Sequence, residues 1–257
     1  MRSVSSPTAL VTGASSGIGR AFAVALAGRG HDVVAVARNE AAMKELAGSV
    51  DTNVEVLAAD LTDAGDLRRV EARLADRDRP VDLLVNNAGY GTTGRFADLP
   101  IDSEQNEIDL NVVALVRLTH AALGPMTARG QGAIVHVSSI AGFAPAPGVA
   151  TYGGTKAFVI NFGLSLRDEL RGTGVRSMVL CPGFTRTEFQ ERADYDTKGI
   201  PSFLSQSPEQ VVSAALRALE RGTGLCVPGV HNKAAHVLTK VMPDSIVRLV
   251  ARRFGGI

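Results

Sequence analysis

Short apolar runs with no polar alternation must be buried on both faces, and this chain carries six of them in order: TALVTG, DVVAVA, VEVLAA, VDLLVN, GAIVHVSS and VRSMVLC. The first five are each followed by a longer stretch of helical character: GIGRAFAVALAGRG, EAAMKELAGS, DAGDLRRVEARLADR, residues 101 to 129 and residues 152 to 171. Gly30 is a plausible stop for the first helix. After VRSMVLC a loop-rich segment, about 184 to 207, interrupts the rhythm before the helix SPEQVVSAALRALERG and a candidate seventh strand, GLCVPG. This alternation predicts a parallel sheet covered on both faces, a doubly wound α/β fold. No linker or repeat divides it, so residues 1–257 read as one domain. A long insertion such as 184–207 reads as a lid or substrate loop. The tail, about 231 to 254, reads as a helix with one apolar and one basic side, packed on the domain, on a second subunit or on a membrane surface.

Composition narrows the function classes. The 257 residues are 45% hydrophobic and 21% charged, enough for a core without disulfide or metal. Lys and Arg number 27 against 26 Asp and Glu, which gives no reason to expect nucleic acid. Cys181 and Cys226 are too few for a disulfide framework. The histidines show no metal spacing, and His136, inside a strand, reads as a satisfied structural residue. The first residues lack a signal-peptide core, and no run reaches the ~20 apolar residues of a membrane span. The expectation is a cytoplasmic chain with no metal and no stable membrane insertion.

The loop TGASSGIGR lies between the first strand and the first helix. Gly13, Gly17 and Gly19 allow a tight turn and close backbone approach, and the helix end offers unpaired N–H groups to a phosphate. The spacing Gly-x3-Gly-x-Gly differs from the more familiar Gly-x-Gly-x2-Gly. The same letters contain Gly-x-Ser-x-Gly, the nucleophile elbow of a serine hydrolase with Ser15 as nucleophile and His231 or His236 as base.

Further on, ATYGGTKAF places Tyr152 and Lys156 at i and i+4, where helical side chains are neighbours. They are either an ordinary surface pair or an acid and the charge that tunes it. A phenol has a pKa of about 10, too high for base chemistry at neutral pH. A nearby ammonium favours phenolate and lowers that value.

The set TGASSGIG, NNAG (86 to 89), HVSS (136 to 139), YGGTK (152 to 156) and CPGFTRTEF (181 to 189), in this order, resembles the short-chain dehydrogenase/reductase family, in particular its NADP-preferring bacterial reductases. The resemblance covers residues 8 to about 230. It implies a Rossmann-like sheet of six or seven strands and hydride transfer at a nicotinamide. It implies that Ser139, thirteen residues before Tyr152, holds the substrate oxygen, with Ser138 as the competing choice. Tyr152 would be the proton donor and acceptor, Lys156 the residue that holds the nicotinamide ribose and tunes the phenol, and Asn111 the support of a water chain to the lysine. Gly13, Ser15, Ser16, Gly17, Ile18 and Gly19 would cradle the cofactor, Asp60 and Leu61 would contact adenine, and Asn86, Asn87, Ala88 and Gly89 would line the cleft. Pro182, Gly183, Thr185 and Thr187 would meet the nicotinamide end. Asp60 is equally placed to cap the next helix. Two features depart from the family pattern: the paired glycines Gly153 and Gly154 weaken the helix, and His136 replaces a frequent asparagine.

NAD-binding members of such folds place an acid at the end of the second strand. Here Ala37 holds that position and Arg38 follows, which suits a 2′-phosphate and predicts NADP(H) over NAD(H). Phe143, Phe184, Phe189 and Phe203 are candidate walls for a small apolar carbonyl or alcohol substrate. By the resemblance, subunits pair through the helices at 101–129 and 152–171 into a dimer or tetramer. The alternatives are an NAD-dependent dehydrogenase of the same family, a non-catalytic NADP-binding sensor, and the hydrolase through Ser15.

Overall fold

The computed structural model describes residues 6–187 and 204–242. The strands are β1 (Thr8–Thr12), β2 (Asp32–Ala37), β3 (Val54–Ala58), β4 (Leu83–Asn86), β5 (Gly132–Val137), β6 (Val175–Leu180) and β7 (Leu225–Cys226). All pair in parallel, in the order β3-β2-β1-β4-β5-β6-β7. The predicted seventh strand is present but only two residues long.

Side chains alternate along each strand into two cores. Ala9, Val11, Val33, Ala35, Val85 and Val135 face one core, closed by α1 (Gly17–Ala27) and α2 (Glu40–Gly48) through Phe22, Leu26 and Met43. Leu10, Val34, Val36, Leu84 and Ile134 face the other. That side is closed by α3 (Ala64–Ala75) through Leu67 and Leu74, and by the helices between 101 and 169 through Leu118, Met126 and Leu166. Burial on both faces is why the runs carry no polar alternation.

The helix ends follow local chemistry. Asn39 caps α2 by accepting from the N–H of Ala42, and Asp63 caps α3 by accepting from Gly65 and Asp66. Asp63, rather than Asp60, therefore takes the capping role. The first helix ends at Ala27, just short of Gly30, which turns with a φ of +81°. A full capping box, Ser207 with Gln210, opens α7 (Pro208–Glu220), which packs beside α1.

The predicted helix at 101–129 is continuous but not uniform. It runs as α4 (Ile101–Ile108), a π-helical turn (Asp109–Ala114) and α5 (Leu115–Arg129). The next helix, α6 (Ala150–Glu169), starts two residues before Tyr152. The tail forms α8 (Val230–Val241), and its predicted continuation to 254 lies outside the described residues. No helix among the described residues is long and apolar enough to cross a membrane.

His136 corrects an expectation. It is fully buried, edge-on to Phe162 at 5.7 Å, and neither ring nitrogen has a hydrogen-bond partner among the described residues. Burial lowers its pKa to about 3, so it packs as a neutral aromatic. It is structural but not satisfied.

Candidate active site

The strand order reverses between β1 and β4, and a crevice opens there at the carboxyl ends of the strands. One threonine ties its two walls together. Thr12 Oγ1 accepts from the N–H groups of Asn87 and Ala88, both at 2.9 Å, and Asn87 Nδ2 donates to the Thr12 carbonyl at 2.9 Å.

The glycine loop fits tightly against this tie. Gly13 and Gly17 have φ of +67° and +54°, a region L side chains rarely adopt. A Cβ on Gly19 would lie 2.2 Å from the carbonyl oxygen of Gly13. Gly19→Ala must therefore move backbone, and we expect it to cost about 1–3 kcal/mol of stability, read from urea unfolding. An unchanged midpoint would mean that the loop is not tightly packed.

At the head of α1, Ser16 makes no side-chain capping bond and the first turn, including Ile18, holds no acid. With Ser15 in the turn before it, this helix end leaves N–H groups for an anion. Beyond β2, Arg38 is 77% exposed and stands 3.8 Å from Asp60. Such an exposed pair is weak, so the guanidinium is available to a ligand. Burial raises the Asp60 pKa, but the bonds from the Thr62 N–H and hydroxyl, helped by the Arg38 charge, outweigh it and hold the carboxyl below its usual value. Leu61 is buried in the core, and Asn86 turns inward, donating to Thr119 Oγ1 at 2.9 Å. The side chains of Leu61 and Asn86 thus serve the scaffold.

In the segment expected to meet a nicotinamide, Pro182 accepts from the N–H of Ile140 at 3.0 Å. A Cβ on Gly183 would fall 2.4 Å from the side chain of Asn232, a buried residue of α8. Thr185 bridges to Gln206, and the Thr187 methyl lies 3.0 Å from the Cβ position of Gly17. Phe143 stacks on His236 of α8 at 3.9 Å between ring centres. Phe189 and Phe203 lie outside the described residues.

The four residues singled out from sequence come together beside these strand ends. Ser138 is buried and donates to the carbonyl of Lys156 at 2.7 Å, a structural bond. Ser139 instead opens a short helical turn and hydrogen-bonds the Tyr152 hydroxyl. Lys156 is 5% exposed, donates to the Val137 carbonyl at 3.2 Å, and lies 5.6 Å from the centre of the Tyr152 ring. Asn111 sits in the π turn, donating to the Tyr90 carbonyl at 2.8 Å and to Thr155 Oγ1 at 3.1 Å. A Cβ on Gly89 would lie 2.7 Å from Asn111 Oδ1 and 3.3 Å from Lys156 Nζ, so only glycine lets these two approach. Neither Gly153 nor Gly154 is crowded in this way.

Burial governs the charges. It raises the phenol of Tyr152 to about 12, against the hydrogen bond to Ser139, with Glu107, when ionised, adding to the rise. It lowers Lys156 to about 8, with Glu107 opposing. The simple expectation of a phenol pulled down by its lysine is thus not what this site shows. It holds a protonated phenol, the form that donates a proton.

Sequence reasoning missed Glu104 and Glu107, both buried in α4. A signal was present, because Glu107 precedes Asn111 by one helical turn and shares its inward face. The hydrolase reading finds no support among the described residues. His231 contacts the Leu204 carbonyl at 3.1 Å, and His236 is stacked on Phe143.

Comparison with known proteins agrees with this geometry. A family model described as short chain dehydrogenase matches residues 7–198. An uncharacterized oxidoreductase of Myxococcus xanthus is 36% identical over 98% of this chain and 99% of its own. A short-chain dehydrogenase from Sphingobium yanoikuyae, solved in complex with NADPH, is 37% identical with a TM-score of 0.83, over 92% of this chain and 96% of its own. A bulky-bulky ketone specific alcohol dehydrogenase from Comamonas testosteroni is 33% identical with a TM-score of 0.78, over 93% of this chain and 96% of its own. With the seven-stranded parallel sheet, the glycine turn at its reversal point and this breadth of similarity, the chain belongs to the short-chain dehydrogenase family of oxidoreductases.

Proposed function

We propose that the chain is an NADP(H)-dependent oxidoreductase that interconverts a carbonyl and a secondary alcohol on a small apolar substrate, with Tyr152 as general acid and base. The observation that carries this reading is the hydroxyl pair Ser139–Tyr152 with the buried Lys156 ammonium behind it. A binding-only protein has no chemical need for such a set.

The crevice suits a dinucleotide. The glycine turn leaves no room for side chains, the head of α1 faces an anion with free N–H groups, and Arg38 stands where a 2′-phosphate would lie. When bound, the cofactor would supply the hydride for reduction or take it up in oxidation. In reduction Tyr152 donates its proton to the carbonyl oxygen, and Ser139 donates a hydrogen bond to the same oxygen as charge develops there. Lys156 places a positive charge beside the emerging phenolate, and Asn111 holds the Tyr90 backbone that walls the site. The NADPH complex of the Sphingobium relative supports the cofactor assignment, and the ketone specificity of the Comamonas relative, which is for bulky ketones, supports the carbonyl–alcohol chemistry but not the small size of the substrate. The segment 184–207, expected as a substrate loop, lies for the most part outside the described residues. Pairing of subunits through α4–α5 and α6 fits the exposed Ile108, Val113 and Phe158 on those helices.

Titration with NADPH and with NADH, followed by nicotinamide fluorescence, tests the cofactor. We expect tighter binding of NADPH. Arg38→Ala should weaken NADPH by about 1.5–3 kcal/mol, roughly 10- to 100-fold, and leave NADH unchanged. A preference for NADH would reassign the chain to the NAD-dependent members, and binding of neither would remove the oxidoreductase reading.

A further inference from the structure

Two glutamates and two threonines surround Tyr152. Glu104 and Glu107 are 3% and 0% exposed. Thr92 Oγ1 lies 2.6 Å from Glu104 Oε1 and 2.8 Å from Glu107 Oε2, and the Thr92 N–H donates to Glu107 Oε2 at 2.8 Å. The other oxygen of Glu104 takes the hydroxyl of Thr151, the residue before Tyr152. Glu107 and Asn111 thus hold the N–H groups of Thr92 and Tyr90, on either side of Gly91. A Cβ on Gly91 would lie 2.8 Å from Cδ2 of the Tyr152 ring. The carboxyl pair therefore binds both the backbone pressed on the catalytic ring and the first turn of the helix that carries it.

The donors do not suffice for two carboxylates. A threonine hydroxyl has one proton, and an ionised carboxylate only accepts. Two bonded oxygens at 2.6 and 2.8 Å from Thr92 Oγ1 require that one of them carry a proton and donate. Glu107 is the holder on an independent ground. Its Oε1 is buried with no hydrogen-bond partner among the described residues. On an ionised group that atom would be a buried, unsolvated charge, whereas on an acid protonated at Oε2 it is a neutral carbonyl oxygen.

We propose that Glu104 and Glu107 are positioning residues that share one proton through Thr92, and that this uncharged link at Glu107 fixes the Tyr152 ring against Gly91 for proton transfer. The proposal rests on the oxidoreductase reading for its kinetic consequence but not for the proton itself. Burial raises the Glu107 pKa, against the two bonds from Thr92, and Glu104 adds to the rise. The titratable groups that face the pair from packed elements are Tyr90, Tyr152 and Lys156, of which Lys156 favours ionisation of Glu107.

The test has two arms on the full chain. Infrared spectroscopy in D2O at neutral pH should show the carbonyl band of an un-ionised carboxylic acid, absent in Glu107→Gln. No such band, or the same band in the variant, overturns the shared proton whatever the enzyme turns over. Kinetically, the Gln amide is neutral like the protonated acid and its oxygen still accepts from the Thr92 N–H, so E107Q should keep turnover within a few-fold. It should also change the alkaline limb of kcat relative to wild type, because residue 107 can no longer ionise beside Lys156. Glu107→Leu fills the space without the acceptor and should lose roughly 10- to 100-fold in kcat with unchanged NADPH affinity, as a displaced reacting group does. Equal losses in Gln and Leu, or a fall in NADPH affinity matching the fall in kcat, would overturn the positioning role. A wild type that binds NADPH but reduces no carbonyl would remove the oxidoreductase reading and leave the infrared result to decide the proton.

Discussion

Tyr152→Phe is expected to lose carbonyl reduction by roughly 10²- to 10⁴-fold while binding NADPH as tightly as the wild type. The expectation follows from what the substitution leaves in place. The ring still fills the space beside Gly91 and still lies near Lys156, so the crevice keeps its shape. Only the hydroxyl is removed, together with its bond to Ser139. Because burial holds the phenol at about 12, the wild type keeps its acid protonated through the whole neutral range. The reduction rate should therefore show no limb from the tyrosine below pH 9. Steady-state kinetics with a ketone panel, with fluorescence titration of the cofactor alongside, measures both quantities. A variant that retains turnover would move the acid to another group, and one that loses cofactor binding would make Tyr152 a binding residue.

Lys156→Met should give opposite effects on function and stability. The ammonium is almost fully buried, and its pKa falls to about 8 from the ordinary 10.5, because loss of water outweighs the attraction of Glu107. Between those values the folded chain holds fewer protons than the unfolded chain, so stability rises with pH across that window. Below about pH 8 the buried charge costs about 3 kcal/mol. Methionine removes that cost. The variant should be more stable than the wild type at pH 7 by up to about 3 kcal/mol, and the gap should close toward pH 10.5. Urea unfolding at several pH values measures this. Turnover should be lost, and in the wild type the alkaline fall of reduction should centre near 8 rather than near the tyrosine value. A variant less stable than wild type at neutral pH would show that the charge is compensated in place.

The architecture was legible because it rests on local rules. Strands buried on both faces show as unbroken apolar runs, and the small-residue turn after β1 shows as glycine. Tyr152 and Lys156 were legible because four residues on one helix fix their proximity. Ser139 was legible in part: spacing named two serines, and only the turn after β5 decided that Ser138 faces the helix backbone and Ser139 the phenol.

What lay beyond the sequence depends on contacts between segments far apart. The inward turn of Asn86 depends on Thr119 of another helix, and the crowding of Gly183 on Asn232 of α8. The direction of the phenol shift depends on burial, which no local pattern measures, so a rule of paired charges alone gave the wrong sign. Glu104 and Glu107 were not singled out from sequence, because only Thr92 and Thr151, from two other elements, enclose them. The sequence by itself determined the winding of the sheet, the glycine turn after its first strand and the tyrosine–lysine pair, because each is set by periodicity or spacing along one element. The tertiary structure alone decided which serine faces the phenol, which carboxyls are buried and in which direction their acidities move, because solvent exclusion is a property of elements packed together.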